Sequence, residues 1–192
     1  MQEKINLALI YGSARPGRMC DRVAEWAAAE VERHGGFTLD RLDPADPAVS
    51  AAIHGEDRAA RKSLEDRVDA AEAFLVVVPE YNHSFPAPLK ALIDAFKSEW
   101  QAKPVAFVSY GGISGGLRAV EHLRGVFAEL HAVGIRDGVS FANVRSRFGE
   151  DGRLLDPEAA QQAAAHMLAH LTWWAQTLKD GRQARAYGEI AA

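Results

Sequence analysis

Short apolar runs alternate along this chain with longer stretches in which apolar residues recur at helical spacing. The runs 5–12 "INLALIYG", 74–80 "FLVVVPE", 105–111 "VAFVSYG" and 138–144 "GVSFANV" are rich in β-branched and aromatic residues and stop at Gly, Pro or polar positions. Strands buried on both faces read this way. The stretch 37–43, "FTLDRLD", alternates apolar and polar residues and predicts a half-exposed strand. Helical spacing covers about 18–33, 57–71, 86–98, 115–133 and 157–179, the last with Asp156 as N-cap and Pro157 at the first helical position. Five strands alternating with five helices predict an α/β fold with a doubly wound parallel sheet. Such sheets bind ligands outside the carboxyl ends of their strands. The residues just after each apolar run are therefore where chemistry is expected.

Composition narrows the partners. With 192 residues, 48% hydrophobic and 25% charged, the whole chain, 1–192, is expected to form one domain with a full core. A net charge of -4 gives no global reason to expect nucleic acid or an anionic membrane, so the expected partner is a small molecule. Cys20 is the single cysteine, which excludes an intramolecular disulfide. The first strand begins almost at Met1 and no apolar run approaches membrane-spanning length. The expectation is a cytoplasmic protein with no signal peptide. No internal repeat appears, and 145–156 reads as a polar loop within the domain.

The first strand ends in "YGSARPGR", residues 11–18. Gly12 and Gly17 have the spacing of a triphosphate-binding loop, but Arg18-Met19 replaces the Lys-Ser/Thr pair that reaches the terminal phosphates and Mg²⁺. A dinucleotide fingerprint needs glycines at 12, 14 and 17, yet position 14 is Ala, followed by Arg15-Pro16. What remains is the Ser13 hydroxyl, two guanidinium groups and the first amides of the next helix, a set suited to one compact anion. A terminal phosphate monoester, with a charge of roughly -1.5 to -2, fits that set; the alternative is an ordinary turn with solvated arginines.

Two further strand ends carry similar features. After the third buried strand comes Glu80-Tyr81-Asn82-His83-Ser84, and after the fourth comes "SYGGISGG", 109–116. Glycines there let bare backbone approach a flat ligand. The set Gly12-Ser13-x-Arg15, then Pro79-Glu80-Tyr81-Asn82 with Ser84, Pro86, Leu89-Lys90 and Asp94, then Ser109 with Gly111-Gly112 and Gly115-Gly116, resembles the NADPH-dependent FMN reductases. These are flavodoxin-like proteins that include quinone, azo-dye and chromate reductases. The resemblance runs over about residues 4 to 180 and includes "FGEDGRLLDPE" before the last helix. It implies the sheet order 2-1-3-4-5 and an FMN whose phosphate lies on Ser13, Arg15, Arg18, Met19 and Cys20. The flavin ring would lie between Pro79, Glu80, Tyr81, Asn82 and His83 on one loop and Ser109, Tyr110, Gly111 and Gly112 on the other. Many members carry Ser or Asn where this chain has Arg18 and Cys20.

A flavin brings its own redox chemistry, so no catalytic acid or base is required of the protein. The resemblance implies hydride transfer from NADPH or NADH to FMN, then ping-pong reduction of a quinone, azo compound, flavin or metal oxyanion. Backbone N–H groups at Gly111 and Gly112, near the start of the helix at 115, are expected to stabilise the negative charge of the reduced ring. Tyr81, Phe85, Trp100 and Tyr110 are candidates to roof the site or simply to pack. His166 and His170 have the spacing of a metal pair but no third ligand, so no metal is expected. Cys20 is either a thiol with a lowered pKa at a helix start or a small residue near the phosphate. Trp173-Trp174 read as packing or as contact with a partner subunit. The competing class is a flavodoxin-like electron carrier or flavin-dependent sensor without turnover; a dehydrogenase with bound NAD and no flavin is a third reading.

The helix at 86–98 carries Leu89, Leu92, Ile93 and Phe96 on one stripe, and that at 115–133 carries Val120, Leu123, Phe127 and Leu130. Leu117, Val126 and Val133 lie off the second stripe. A helix apolar beyond one face needs a second surface. The expectation, which the resemblance shares, is a homodimer or a homotetramer.

Overall fold

The computed structural model describes residues 4–189. Five parallel strands, β1 (Ile5–Tyr11), β2 (Phe37–Leu42), β3 (Ala73–Pro79), β4 (Pro104–Tyr110) and β5 (Val133–Phe141), form one sheet in the order β2-β1-β3-β4-β5. The pattern predicts this sheet because β3 and β4 are buried at every position, as central parallel strands covered on both faces must be. Alternate residues feed two cores. Leu7, Leu9, Leu75, Val77, Ala106 and Val108 pack under α1 (Cys20–His34) and α6 (Glu158–Ala184). Ala8, Ile10, Phe74, Val76, Val78 and Phe107 pack under α2 (Pro47–His54), α3 (Arg58–Ala70), α4 (Ala87–Asp94) and α5 (Leu117–Glu129).

Several boundaries differ from the sequence expectation for identifiable reasons. Helix α2 has no counterpart there: its eight residues are too few for a readable period, although Asp46 caps it by accepting the amides of Ala48 and Val49. Helix α5 stops at Glu129 because the chain reverses through His131, at φ +59°, so Val133 opens β5 instead of extending the helix. β5 lies at 133–141, not 138–144, because it is an edge strand whose Arg136 and Asp137 interrupt the apolar run. Asp156 is not the cap of α6. It sits at φ +49°, and Pro157 takes the cap position with no side-chain bond.

The stripe of α4 is buried as expected, and Phe96 packs beyond the helix end. Val120, Leu123 and Phe127 of α5 are likewise buried, whereas Leu117 is 60% exposed. Trp174 packs partly against the core, and Trp173 lies exposed beside it. No helix among the described residues is long and apolar enough to cross a membrane.

Candidate functional site

The carboxyl ends of β1, β3, β4 and β5 converge on a pocket of about 530 Å³, within the range of small-molecule sites. Arg15, Arg18 and Met19 line it from the first loop, Pro79, Glu80 and Tyr81 from the second, and Tyr110, Gly111 and Gly112 from the third. A larger hollow of about 720 Å³ lies between α3 and the β1–β2 edge. It is crossed by the Asp40–Arg67 ion pair at 2.7 Å and lies away from the strand ends, so the pocket at the strand ends is the candidate site.

The two arginines of the first loop have different roles. The guanidinium of Arg18 forms a forked pair with Asp43 (2.8 and 2.5 Å), donates to Asp21 at 2.7 Å and also bonds the Ser13 carbonyl. With its side chain 7% exposed, it ties the loop to the end of β2, and its charge is already balanced by two carboxylates. Arg15 is the loop's other guanidinium. It is exposed, has no carboxylate partner among the described residues and lies 3.9 Å from the centre of the Tyr81 ring, a cation–π contact that leaves its N–H groups open to a ligand. Ser13 is fully buried, and its hydroxyl lies 3.0 Å from that of Tyr81, bracing the first loop against the second.

The Cys20 thiol is removed from the site chemistry. Its side chain is buried in the core, with Sγ 3.8 Å from the Val77 carbonyl. Burial pushes the thiol up to about 11, which outweighs the nearby Tyr110 hydroxyl and Arg18. This corrects the thought of an activated thiol at the helix start. Native protein at pH 8 should therefore resist iodoacetamide for hours, while denatured protein is alkylated at one site; rapid native alkylation would place Cys20 at an accessible surface.

The second loop closes as a tight turn in which Tyr81 and Ser84 exchange backbone bonds of 2.9 and 3.1 Å. Asn82 and His83 form its tip at positive φ, exposed and off the pocket wall, a turn geometry that asparagine tolerates well. In the third loop the Ser109 hydroxyl donates to the Gly115 carbonyl at 2.8 Å and is buried. The amide of Gly111 is also taken, donating to Phe141 at 3.2 Å, and this corrects its expected role towards a ring. The Gly112 amide has no backbone acceptor among the described residues. Trp100 is not a roof: it is fully buried against Phe74 and Phe127, and its indole N–H serves the carbonyls of Ile93 and Phe96. Phe85 packs partly against the same core, whereas Tyr110 contributes to the pocket.

Asn143, Val144, Arg145 and Ser146 complete the wall after β5. The sequence reading passes over them because it carries the fifth strand to 144 and takes 145–156 as a polar loop without a site role. Their backbone is held by Asn143 and Val144 donating to the Gly112 and Gly111 carbonyls at 2.8 and 3.1 Å. The signal available was position alone: polar residues following a fifth strand.

His170 lies 2.8 Å from Asp137, and the described residues hold no group of three metal-type ligands.

Sheet order and pocket position define the class: a flavodoxin-like fold with its site at the switch point between β1 and β3. The NADPH-dependent FMN reductase profile matches residues 5–145, and the chain belongs to that family of FMN-using, NAD(P)H-dependent enzymes. It is 37% identical over 181 residues to an NAD(P)H:quinone oxidoreductase of Solanum tuberosum, covering 88% of this chain and 92% of the relative. An NAD(P)H-dependent FMN reductase of Schizosaccharomyces pombe is 33% identical over 121 residues, covering 57% of this chain and 60% of that protein. Among solved structures, the flavoenzyme NAD(P)H:(acceptor) oxidoreductase FerB of Paracoccus denitrificans superposes with a TM-score of 0.71 at 20% identity, over 90% of this chain and 98% of that one. That likeness supports the fold.

The pocket fits FMN on its own terms. It offers an arginine with no carboxylate partner among the described residues, beside a helix N-terminus, for the phosphate, and bare backbone at Gly112 for a flat ring.

Proposed function

We propose that this chain is a cytoplasmic, single-domain reductase that takes electrons from NADPH or NADH and passes them through FMN to quinones, azo compounds, flavins or metal oxyanions. The observation that carries the reading is Arg15, over the Tyr81 ring at the pocket wall and without a carboxylate partner among the described residues. Bound FMN supplies a ring that accepts hydride and releases two electrons. Arg15 and the first amides of α1 hold the phosphate, Ser13 braces that loop through Tyr81, and the Gly112 amide serves the ring's polar edge. Arg18, Met19, Cys20 and Ser109 act by shaping the loops, with Pro79, Glu80, Tyr110 and Gly111 forming the walls and Asn82-His83 the turn beside them. Donor and acceptor use the same open side in turn, which gives ping-pong kinetics.

Anaerobic mixing with NADPH tests this reading. Flavin absorbance should bleach within seconds and return on adding a quinone, and flavin released by heat should chromatograph as FMN. Bound FAD would overturn the assignment of Arg15 and the start of α1 to a terminal phosphate, and a flavin that NADPH and NADH leave oxidised would return the protein to the carrier or sensor class.

We also infer a homodimer through α4 and α5, or a tetramer made of two such dimers. Supporting it, Ile113 and Leu117 are 88% and 60% exposed beside the glycine loop, apolar surface that a second copy would bury. Leu117→Glu should shift micromolar protein towards monomer in sedimentation equilibrium and lower turnover with the fold intact. A monomeric wild-type protein with full activity contradicts this assembly.

A further inference from the structure

The sequence reading expects the amides of Gly111 and Gly112, near the start of the helix at 115, to face the negative edge of a reduced ring. At that helix start the structure puts a carboxylate. Glu80, the residue after β3, reaches across to the third loop: its Oε2 accepts from Ser114 Oγ at 2.6 Å and from the Arg118 amide at 3.3 Å, and its Oε1 accepts from Arg118 Nε at 2.6 Å. Arg118 is the second residue of α5, so a side chain from another element takes one of the helix's unpaired amides and sits at its positive end. The Glu80 side chain is 6% exposed, and that of Arg118 is 45% exposed. Burial pushes the Glu80 carboxyl up, but the bonds from Ser114 and Arg118 outweigh it and hold it below the usual range. Glu80 lines the pocket and Arg118 does not. The carboxylate itself is turned to Ser114 and Arg118, so the buried negative charge lies just behind the wall that Glu80 forms, with its positive counterpart farther from the pocket.

We propose that the Glu80–Arg118 pair sets the reduction potential of the bound flavin, the carboxylate holding it down and the guanidinium limiting that effect. The inference rests on the reading of this pocket as the FMN site. A ring reduced by two electrons carries extra negative charge, and a partly desolvated carboxylate at the wall opposes it more strongly than one in water. Glu80→Gln removes that opposition, frees the α5 terminus and leaves Arg118 uncompensated, which favours the reduced ring. Arg118→Gln leaves the carboxylate without its counter-ion, which disfavours it. The two substitutions act in opposite directions because the charges are opposite. A clasp that merely held the two loops together would respond in one direction to the loss of either side.

The experiment is the midpoint potential of the FMN-loaded full chain, equilibrated anaerobically with a reference dye at fixed pH and salt. Glu80→Gln should raise it and Arg118→Gln lower it, each by about tenfold in the reduction equilibrium, or about 30 mV for a two-electron couple. The double variant should return towards wild type. Should Arg118→Gln fail to hold FMN, Ser114→Ala removes one neutral donor from the carboxylate and should give a smaller downward shift. Shifts of the same sign, an unmoved potential in either charge variant, or an unmoved or raised potential in Ser114→Ala overturn the proposal. Wild-type protein that binds no FMN overturns the pocket reading itself, whereas FMN-loaded protein whose variants shift together overturns only the role of the pair.

Discussion

Gly116→Ala is expected to destabilise the fold by about 2–4 kcal/mol, the sum of a strained backbone and a steric clash. Gly116 adopts φ +86°, and a Cβ there would meet Tyr110 N at 2.7 Å, Ser109 Cβ at 2.8 Å and the Tyr110 carbonyl oxygen at 2.9 Å. Two of these three are backbone atoms of β4, a strand buried at every position, so relief requires moving the sheet or the start of α5. For a chain of this size each kcal/mol lowers the melting temperature by about 2–4 °C, and the apo protein should melt roughly 4–16 °C lower. Gly112→Ala is the control. No heavy atom lies within 4 Å of its added Cβ and its φ is not positive, so the apo melting temperature should hardly move. Because Gly112 lines the pocket, the same substitution should weaken flavin binding. Equal melting temperatures for the two variants would show that the third loop yields where the packing says it cannot.

The contrast between these glycines also shows which information the sequence carries. A run of glycines at 111–116 marks a strand-to-helix joint with close backbone approach, and the joint lies where the pattern predicts. Which glycine supports the fold and which faces the ligand depends on neighbours from β4 and β5, distant in sequence. The same division holds for the first loop. Arg15 and Arg18 look equivalent in "GSARPGR", and their difference is made by Asp43, which enters from the end of β2 and fixes Arg18 at 2.5–2.8 Å. The central strands β1, β3 and β4 are legible because burial on both faces leaves nearly continuous apolar runs, broken only at Asn6 and Ser109. β5 is less so because its outer edge faces solvent, and that shift in register of reading conceals Asn143 to Ser146. Helix α2 is too short to show a period, and the capping of α6 departs from the expected Asp-Pro pattern because Asp156 is needed in the left-handed turn that precedes it.

Arg15→Ala should weaken FMN binding by roughly tenfold to 100-fold, the equivalent of losing a charge-assisted contact of about 1.5–3 kcal/mol. The argument depends on which guanidinium is available. Removing Arg18 takes the cation from Asp43, whose carboxylate keeps only the Ala45 amide, and from the solvent-exposed Asp21, and it loosens the tie to β2, so Arg18→Ala should show chiefly as a lower melting temperature of the apo protein. Arg15 has no such internal partner among the described residues. Its stacking on the exposed part of Tyr81 contributes only about 0.5–1 kcal/mol, so Arg15→Ala should leave the apo melting temperature nearly unchanged. Arg15→Lys keeps the charge and loses the planar fork, and should fall between wild type and Ala in affinity. Riboflavin, which has the same ring and no phosphate, separates the two ways in which Arg15 can act. If the guanidinium holds the phosphate, Arg15→Ala lowers the affinity for FMN and leaves that for riboflavin where it was, and the FMN loss shrinks as salt is raised and the wild-type contact is screened. Quenching of flavin fluorescence on titration with apoprotein measures all of these. Equal losses for FMN and riboflavin would place Arg15 over the ring, and an unchanged FMN affinity alongside collapse in Arg18→Ala would transfer the phosphate contact to Arg18 despite its two carboxylates.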